Sequence, residues 1–367
     1  MRYIIGSDIT KESLGVIHKV EGQINVFNKS GIDCILYKMP YYANAGIKEK
    51  ILKRVPFVNL HKHWNLKDLN GQDYLYIRRG GVFDFWNNRF YKKLKEYNPR
   101  MKMVLEIPTY PYDGEIAKSW KALPLLWKDK WNRRHLYKFI DRIATLTDDK
   151  EIFGIPTLKI GNGIDVNKIC PRKVRNTDEV HAIAVANFEW WHGYDRFLEG
   201  MKTYYAGNPS RKVIFHLVGY GSEFERYQKM VADYGLGEYV ILHGQQTGET
   251  LDAIYDQCNL GIASLGFHRT GLTEGAPIKT REYLAKGLPF IFGAKVSDIS
   301  EGDKDSIYLQ VSANDFPIDI EAVLNFYDRI YSENVEQVNN RLRQFAQDHF
   351  SMEAAMKEVI DFFKNSK

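Results

Sequence analysis

The chain has 367 residues, of which 44% are hydrophobic, 26% are charged and 14% are aromatic. These proportions are typical of a folded globular protein and exclude a disordered one, and the length favours two domains of roughly 150 to 180 residues each. No stretch approaches about 18 uncharged apolar residues, so neither a membrane span nor a signal peptide is predicted. We therefore expect a cytoplasmic protein.

Charge is distributed unevenly along the chain. Residues 1–170 contain 30 Lys and Arg against 18 Asp and Glu, a net +12, whereas the remaining 21 basic and 28 acidic residues give −7. This asymmetry predicts that the N-terminal half meets an anionic partner, either a membrane surface or a phosphorylated acceptor. Zinc-finger spacing, an RRM signature and a basic heptad region are all missing from the sequence, so no nucleic-acid partner is predicted.

The cysteines and one histidine pair were considered as metal ligands. Cys34, Cys170 and Cys258 are far apart and odd in number, which favours three reduced core residues over a disulfide framework or a CxxC site. His61 and His63 in HKHW have no third ligand nearby and are predicted to be surface or strand residues. The sequence therefore predicts no metal site.

Short β-branched runs alternate with helical patterns over most of the chain, which indicates βα units with parallel sheets. In the first half, strands are predicted at 3–7, 34–39, 73–79, 102–108, 142–147 and 157–160. In the second half they are predicted at 180–186, 213–219, 239–244, 260–264, 288–293 and 307–311. We expect an α/β protein of two Rossmann-like, doubly wound domains facing a cleft, with ligands beyond the carboxyl ends of the strands.

The domain boundaries follow from two further segments. Gly161–Glu179 combines turn residues, a proline and mixed charges without apolar periodicity, which predicts a linker. Near the C-terminus, apolar residues recur at helical spacing from Val338 to Phe363, and Ser351 is placed to cap the last helix. The predicted domains are 1–165 and 166–348, followed by a helical segment at 349–367.

The stretch EGAPIKTREYLAKGLPFIFG places two glutamates, Glu274 and Glu282, on either side of a predicted helix start. Pro277 favours a first helical turn and Gly287 a C-terminal cap, so the helix is expected at about 277–286. The unpaired N–H groups of its first turn, together with Lys279, favour binding of phosphate oxygens.

Glu282 lies three residues beyond Lys279 on the same predicted helical face, where its carboxylate can accept two hydrogen bonds from a ribose diol. The alternative is an ordinary charged helix. Exposed Lys279–Glu282 and Glu282–Lys286 pairs would then contribute only about 0.2–0.5 kcal/mol each. Spacing alone leaves both interpretations open.

Glu274-x7-Glu282, followed by YLAKGLPFIFG, resembles the E-x7-E signature of retaining GT-B glycosyltransferases, especially glycosyltransferase family 4. The segments AVANFEWWHGYDRFLEGM, IFHLVGYGSEFERYQ, YVILHG and IGNGIDVNKI resemble further parts of that family. The resemblance covers most of residues 142–293. The positions shared with the family pattern P-x-K-x-x-E-Y-x-A-x-G-x-P are Pro277, Lys279, Glu282, Tyr283, Ala285, Gly287 and Pro289.

The resemblance implies a GT-B fold whose last helix crosses back onto the N-terminal domain. It also implies that Glu282 binds the donor ribose, that Glu274 contacts the donor sugar, and that Lys279 with the helix N-terminus neutralises the diphosphate leaving group. GT-B enzymes use no divalent metal for this step. No metal and no cofactor are therefore expected, only a UDP-sugar or GDP-sugar donor.

Two positions depart from the family pattern, which usually places an Arg and a Lys on the diphosphate. This chain has Asn187, which carries no charge, and His192, which is charged only when protonated. Either Lys279 and neighbours such as Arg281 carry more of the charge, or this branch holds phosphate differently. His192 has the further interpretation of a polar residue at a helix N-terminus.

Glycines at two loops are assigned to the donor. The segment LVGYGSEF lacks the third glycine of a dinucleotide-binding fingerprint. Its Gly219 and Gly221 are instead predicted to form a tight turn that lets the backbone approach the nucleotide. Gly15 matches a family loop that faces the donor phosphates, although it is equally well explained as a glycine at a helix start.

The acceptor side is less clearly defined. A histidine common in the family has no counterpart in VLEIPTYPYDGE, so Glu106, Thr109, Tyr110 and Asp113 are the candidates to replace it. The segment Lys118–Ile140 holds seven Lys and Arg, one acid and three tryptophans. That mixture indicates an element lying on anionic lipid, with a buried helix and a solvated basic face as the alternative.

Together these features predict a metal-independent retaining sugar transferase, cytoplasmic and peripheral to the membrane. It would move a hexose-type sugar to a saccharide or a polyprenyl-diphosphate-linked saccharide in surface polysaccharide assembly (capsule, O-antigen or exopolysaccharide). Two alternatives remain open. A nucleotide-sugar epimerase would need acid and base groups within the cleft, and a non-catalytic nucleotide-sugar-binding subunit is suggested by the missing Arg and Lys.

Overall fold

The structure is a computed structural model that describes residues 1–5, 14–37, 69, 71–117, 120–173 and 178–365. The chain divides into two compact units. The first comprises Met1–Gly163 together with Met352–Lys367, and the second comprises Ile164–Ser351. His61, His63 and Lys118 lie outside the described residues.

The first unit is built on a seven-stranded sheet in the order β2-β1-β3-β4-β5-β7-β6. All neighbours are parallel except the hairpin of β6 and β7. This hairpin turns at Phe153 and Gly154, both with positive φ, as a tight two-residue connection requires. The strands are β1 (Arg2–Ile5), β2 (Ile35–Tyr37), β3 (Tyr74–Arg78), β4 (Lys102–Ile107), β5 (Arg142–Thr145), β6 (Glu151–Ile152) and β7 (Ile155–Lys159).

The second unit has a six-stranded, entirely parallel sheet in the order β10-β9-β8-β11-β13-β15. Counted within the unit this is 3-2-1-4-5-6, the Rossmann order. A separate two-stranded parallel sheet joins β12 to β14. The strands are β8 (Val180–Asn187), β9 (Val213–Tyr220), β10 (Val240–Gly244), β11 (Leu260–Ile262), β12 (Glu274–Gly275), β13 (Phe290–Phe292), β14 (Lys295–Val296) and β15 (Tyr308–Gln310).

Every predicted strand overlaps an observed one. The sequence patterns do not predict β6, β12 and β14, because strands of two residues are too short to show an alternating or apolar pattern. The two parallel sheets with their connecting helices confirm the predicted α/β class.

Helices connect the strands in both units. Asp84 begins one of them by accepting the Asn87 amide at 3.1 Å, and Asn334 begins another by accepting the Glu336 amide at 2.9 Å. The first unit has helices at Leu14–Lys29, Phe85–Tyr97, Asp113–Ile116, Leu123–Arg133, Met352–Ala355 and Lys357–Lys364, and the second at Tyr194–Ala206, Phe224–Asp233, Gly248–Tyr255, Ile278–Ala285, Glu301–Lys304, Ile320–Ile330 and Val335–Phe350. Short 3₁₀ turns lie at Trp120–Ala122, Leu136–Lys138, Val166–Lys168, Trp190–His192 and Phe267–Thr270.

The C-terminal helices complete the core of the first unit. Met356 and Phe363 are buried in a cluster that includes Phe27 and Tyr76, and the Phe27 and Phe363 ring centres are 6.1 Å apart. The opposite face of the sheet buries residues such as Leu75, in accordance with the alternation of side chains along a strand. Both faces of this sheet are therefore covered.

Glu106 lies within the first core rather than at a surface. It is fully buried, forms an ion pair with Arg78, and accepts hydrogen bonds from Tyr76 at 2.8 Å and Gln23 at 3.1 Å. Burial alone disfavours the anion, yet Arg78, Lys19 and these hydrogen bonds leave the pKa of the Glu106 carboxyl below its ordinary value. The prediction that Glu106 faces an acceptor is wrong, because its oxygens are already occupied inside the protein.

The predicted linker belongs in large part to the second unit. Ile164 and Val166 are buried in the core of that unit, and Arg172 is buried with hydrogen bonds to Tyr331 at 2.9 Å and Asn339 at 2.7 Å. The turn residues and charges of this segment predict a linker. The packing is not visible in the sequence because the residues that it contacts lie far along the chain. Cys170 in this segment is exposed, which corrects the expectation of a core residue, whereas the other two cysteines are buried.

Within the described ranges, no helix is both long and apolar enough to cross a membrane.

Three histidines form a hydrogen-bonded row across neighbouring strands of the second sheet. His216 of β9 is buried, with His181 Nδ1 2.9 Å from its Nε2 and His243 Nε2 2.9 Å from its Nδ1. His181 Nε2 lies 3.1 Å from a Glu179 carboxylate oxygen. Burial, and then the two flanking imidazoles, lower the pKa of His216 to about 3.

This row makes the stability of the second unit depend on pH. Between about pH 6.5 and pH 3 the unfolded chain binds a proton at this position that the folded chain does not, so the contribution of His216 to stability is full above pH 6.5 and falls as the pH falls. We expect His216→Gln to reduce the slope of the unfolding free energy against pH by about 1.4 kcal/mol per pH unit. Urea unfolding between pH 4 and pH 7 measures the slope, and the exposed His349→Gln should keep the wild-type slope.

Candidate active site

The site lies where the strand order of the second sheet reverses, between β8 and β11. Open parallel sheets bind ligands beyond the carboxyl ends of the strands at such a point. The loops that leave these two strands meet there, because the Leu265 amide donates to the His192 carbonyl at 2.7 Å. Gly193 has a φ of 65°, and a Cβ on it would collide with the Gly266 backbone. A glycine is therefore required for the two loops to meet.

The motif helix, Ile278–Ala285, begins beside these loops. Pro277 is its N-cap residue, with extended backbone and no side-chain cap, so the helix begins one residue later than predicted. Gly287, with a φ of 79°, follows the helix, and the Leu288 amide donates to the Tyr283 carbonyl at 2.8 Å. Amide N–H groups of the first turn have no partner within the helix, which suits an anion.

Lys279 is the cation of this first turn. Its Nζ donates to the Tyr194 hydroxyl at 3.3 Å. Burial lowers the pKa of Lys279 to about 7, although the nearby Glu282 carboxylate works against that shift. At neutral pH the amine is therefore poised between its two charge states, and an arriving anion would favour the charged one.

His192 provides a hydrogen bond rather than a charge. Its Nδ1 accepts the Glu189 amide at 3.0 Å, so in the neutral ring the proton is on Nε2. Burial, and then the positive charge of Lys279, lower the pKa of His192 to about 3. His192 is therefore neutral at neutral pH. It does not supply the positive charge that the family usually has at this position. The ring stacks on Tyr194 with the centres 5.5 Å apart.

Glu282 follows one turn after Lys279 and keeps an exposed side. Burial of its carboxyl by neighbouring protein raises the pKa of Glu282, with Lys279 and Lys286 opposing the shift. Neither lysine forms an ion pair with Glu282 within 4.0 Å among the described residues; Lys286 pairs with Asp252 instead. The ordinary charged helix with i,i+3 and i,i+4 pairs is therefore not what the structure contains.

Two further predicted site residues occupy surface positions. Glu274 is exposed in β12, in register with Lys295 of β14, and precedes the motif helix. Asn187 ends β8, and its amide donates to a Glu189 carboxylate oxygen at 3.1 Å. Their proposed roles on the donor stay predictions.

Arg281 does not supply the missing charge. Its side chain is buried, forms an ion pair with Asp298, and lies over the Phe350 ring with its guanidinium carbon 4.7 Å from the ring centre. The suggestion that Arg281 shares the phosphate load is wrong, because the guanidinium is held within the protein. The predicted contact of the motif helix with phosphate therefore depends on Lys279.

Gly219 and Gly221 are explained by contacts within the protein. Gly219 has a φ of 138°, and a Cβ would collide with the Ala186 carbonyl oxygen of β8. Gly221 packs in the same way against the backbone of Phe188. The turn after β9 therefore fixes the loop after β8, and its predicted contact with a nucleotide stays a prediction.

The remaining candidates lie in the first unit. Gly15 is in the first turn of the helix Leu14–Lys29. Asp113 pairs with Arg133 at 2.6 Å and with Lys130 at 3.1 Å, while the Tyr110 ring packs on Phe153. Thr109 is exposed.

Sequence reasoning assigned no role to Tyr194 or Glu189. Tyr194 is buried between Lys279 and His192, and Glu189 holds the loop through Asn187, His192 and a Ser222 hydroxyl at 3.0 Å. Tyr194 stands in the segment HGYD. Nothing in that segment indicates that its hydroxyl contacts Lys279, 85 residues further along the chain. In the part of the chain that the structure describes, no group of three His, Cys, Asp or Glu could hold a metal ion.

Residues 165–302 match the protein-family model described as Glycosyl transferases group 1. This range contains the whole of the site described above in the second unit. No curated protein matches the chain in sequence.

Solved structures resemble the chain over nearly its full length. A glycosyltransferase from Rickettsia africae ESF-5 has a TM-score of 0.61 and 10% identity, covering 100% of this chain and 98% of its own. Anabaena Alr3699/HepE, in complex with UDP, has a TM-score of 0.57 and 11% identity, with 99% of each chain covered. The lipopolysaccharide outer core galactosyltransferase WaaB has a TM-score of 0.55 and 14% identity, covering 99% of this chain and 100% of its own.

The packing role of Gly219 can be tested directly. Gly219→Ala would place a methyl group against the Ala186 carbonyl in a backbone region that L-residues avoid, so we expect the unfolding free energy to fall by about 2–4 kcal/mol. Urea unfolding of the full chain measures it. Gly237→Ala, where nothing lies within 4 Å of the added Cβ, is the matched control and should change stability little.

Proposed function

We propose that this chain, a glycosyltransferase of the GT-B fold, transfers a hexose-type sugar from a nucleotide diphosphate sugar to a saccharide or lipid-linked saccharide acceptor, with retention of configuration and without a metal. The observation that carries the proposal is Lys279. A lysine of lowered pKa stands in the first turn of the motif helix, at the switch point of a Rossmann-ordered sheet. That is the arrangement a diphosphate needs.

Each residue of the site has a proposed contact with one part of the donor. Lys279 and the first-turn amides bind the diphosphate, the Nε2–H of His192 donates a hydrogen bond to it, and Glu282, on the same face of the helix, accepts from the ribose hydroxyls. Glu274, in the strand before the helix, faces the sugar. Asn187, Gly219 and Gly221 line the approach to the nucleotide, and the role of Gly15 of the first unit on the donor phosphates stays a prediction.

Breaking the glycosidic bond develops negative charge on the leaving diphosphate. A proton that Lys279 gains on donor binding, and fixed donors from His192 and the helix N-terminus, stabilise that charge without a metal. In the route we favour, retention occurs on the front face, where the leaving phosphate helps to deprotonate the acceptor. Lys279 is then a catalytic residue, because it touches the group that departs.

Surface polysaccharide assembly, whether of capsule, O-antigen or exopolysaccharide, is the role we favour. Similarity of fold to Alr3699/HepE, which binds UDP, and to WaaB, a galactosyltransferase of the lipopolysaccharide outer core, supports this choice. UDP-sugars are the first donors to test, GDP-sugars the second. A polyprenyl-diphosphate-linked acceptor fits the excess of basic residues in the first 170 positions.

A non-catalytic nucleotide-sugar-binding subunit is the competing function, favoured by Asn187 and the neutral His192 where the family has charges. An epimerase is the second competitor. Incubating the protein with a UDP-sugar, with and without acceptor saccharides, separates the three. New glycoside of unchanged anomeric configuration by NMR supports our proposal, an epimer formed without acceptor supports the epimerase, and donor binding without turnover supports the subunit.

Donor recognition is tested by a thermal-shift screen of UDP-, GDP- and ADP-sugars on wild type and Glu282→Ala. We expect one donor family to stabilise the wild type and the substitution to remove most of the shift, since a ribose held by two hydrogen bonds to a carboxylate loses both. Glu238→Gln is the matched control, because this exposed acid precedes β10 at the opposite end of the sheet. An unchanged shift in Glu282→Ala would refute the ribose assignment.

The pH dependence of binding tests Lys279. Its pKa of about 7 rises when a diphosphate binds, so binding above pH 7 takes up a proton and the affinity falls as the pH rises. We expect the Kd for UDP to increase by up to about tenfold per pH unit between pH 7 and pH 9. Calorimetry measures both the Kd and the proton uptake.

Lys279→Arg is the control for that experiment, because a guanidinium stays charged throughout this range. Its affinity for UDP should be nearly independent of pH. A wild-type affinity that does not change between pH 7 and pH 9 would contradict the lowered pKa of Lys279 as the source of the charge.

A further inference from the structure

The helix Leu123–Arg133 of the first unit is oriented opposite to an ordinary surface helix. Its buried face carries Lys128, Asp129 and Asn132 beside Leu126. Its outer face carries tryptophans. An ordinary surface helix buries its apolar stripe and exposes its charges, so the reversal indicates that the outer face meets something less polar than water.

The buried polar face is fixed by specific partners. Asp129 accepts the Phe83 amide at 2.8 Å and the Tyr112 hydroxyl at 2.9 Å. The Asn132 carbonyl accepts from the Asn88 side chain at 3.0 Å. These contacts settle which face points outward, and the helix cannot turn its tryptophans inward without breaking them.

The outward face forms one continuous stripe. We call Trp120, Leu123, Trp127 and Trp131 the tryptophan stripe; their exposed fractions are 77%, 45%, 69% and 55%. Spacings of three, four and four residues place these side chains on one side of the helix and its preceding turn, over about 16 Å. Four large apolar side chains exposed together are far more than the single exposed residues common on soluble surfaces.

One cation lies on the stripe, and another lies beside an exposed tyrosine that follows the stripe in the chain. The Arg134 guanidinium lies over the Trp131 ring with its carbon 3.5 Å from the ring centre, and Lys138 lies beside the exposed Tyr137 with its Nζ 5.9 Å from that ring's centre. Lys130 is half-exposed, 3.1 Å from Asp113. Lys128 is buried and Arg133 binds Asp113 and Asp129, so neither faces outward.

We infer that the tryptophan stripe, with Arg134 and Lys138, binds the surface of an anionic phospholipid membrane. Indole rings with flanking basic side chains are the composition that settles at the boundary of headgroups and acyl chains, where the rings bury apolar area and the cations meet lipid phosphates. The net +12 of residues 1–170 supplies charge complementarity for such a surface. This inference specifies the peripheral location but stands independently of the donor assignment.

Flotation of the full chain with lipid vesicles tests the inference. We expect wild type to float with phosphatidylcholine vesicles that contain phosphatidylglycerol and not with pure phosphatidylcholine. Trp127→Gln/Trp131→Gln should reduce the bound fraction at least about tenfold, because two rings lose their burial in the interface. Arg134→Gln/Lys138→Gln should weaken binding and its salt dependence together.

Tyr97→Gln is the matched control, since this aromatic residue, 62% exposed, is on another helix of the same unit. It should float as wild type does. UDP-induced thermal shifts of every variant should equal that of wild type, so a lost donor site is distinguished from a lost membrane site.

Three results would overturn the inference. These are failure of wild type to bind anionic vesicles, unchanged flotation of the double tryptophan variant, and evidence that the stripe joins two copies of the chain. The last would appear in sedimentation as a wild-type dimer that the double tryptophan variant abolishes, without flotation of either protein.

Discussion

The backbone contact between the loops after β8 and β11 is the constraint on which the candidate site depends. The His192 carbonyl accepts the Leu265 amide, and this is possible because Gly193 has no side chain to collide with the Gly266 backbone. The contact fixes the His192 ring and positions Tyr194 beneath Lys279. The start of the motif helix thereby gains two neighbours from a different part of the sequence.

A partly buried lysine beside a neutral histidine differs in its electrostatics from two permanent cations. A pair of fixed charges would repel each other in the empty protein, and each would need a counter-ion. Here burial, and then the charge of Lys279, lower the pKa of His192, and burial lowers the pKa of Lys279 to about 7. The desolvation cost of a fully charged Lys279 would therefore arise only when an anion binds beside it and offsets that cost.

The fold and the motif helix were predictable from the sequence because they depend on local patterns. Apolar runs marked the strands, and Pro277 and Gly287 marked the ends of a helix. What could not be predicted depends on contacts between distant residues. The sequence makes Glu106 an acceptor-side candidate because nothing near it in the chain indicates its ion pair with Arg78. It makes Arg281 a candidate to share the phosphate charge because its partner Asp298 lies 17 positions away.

The return of the chain to the first unit has a consequence for biosynthesis. Gln23 contacts the Met356 sulfur at 3.4 Å, and Phe27 packs near Phe363, so this core needs segments that come before and after the second unit in the chain. A ribosome releases the whole of Ile164–Ser351 before it supplies Met352. The second unit, though later in sequence, is thus the first that can complete its own core, while one side of the sheet of the nascent first unit is covered only in part, by the helix Leu14–Lys29.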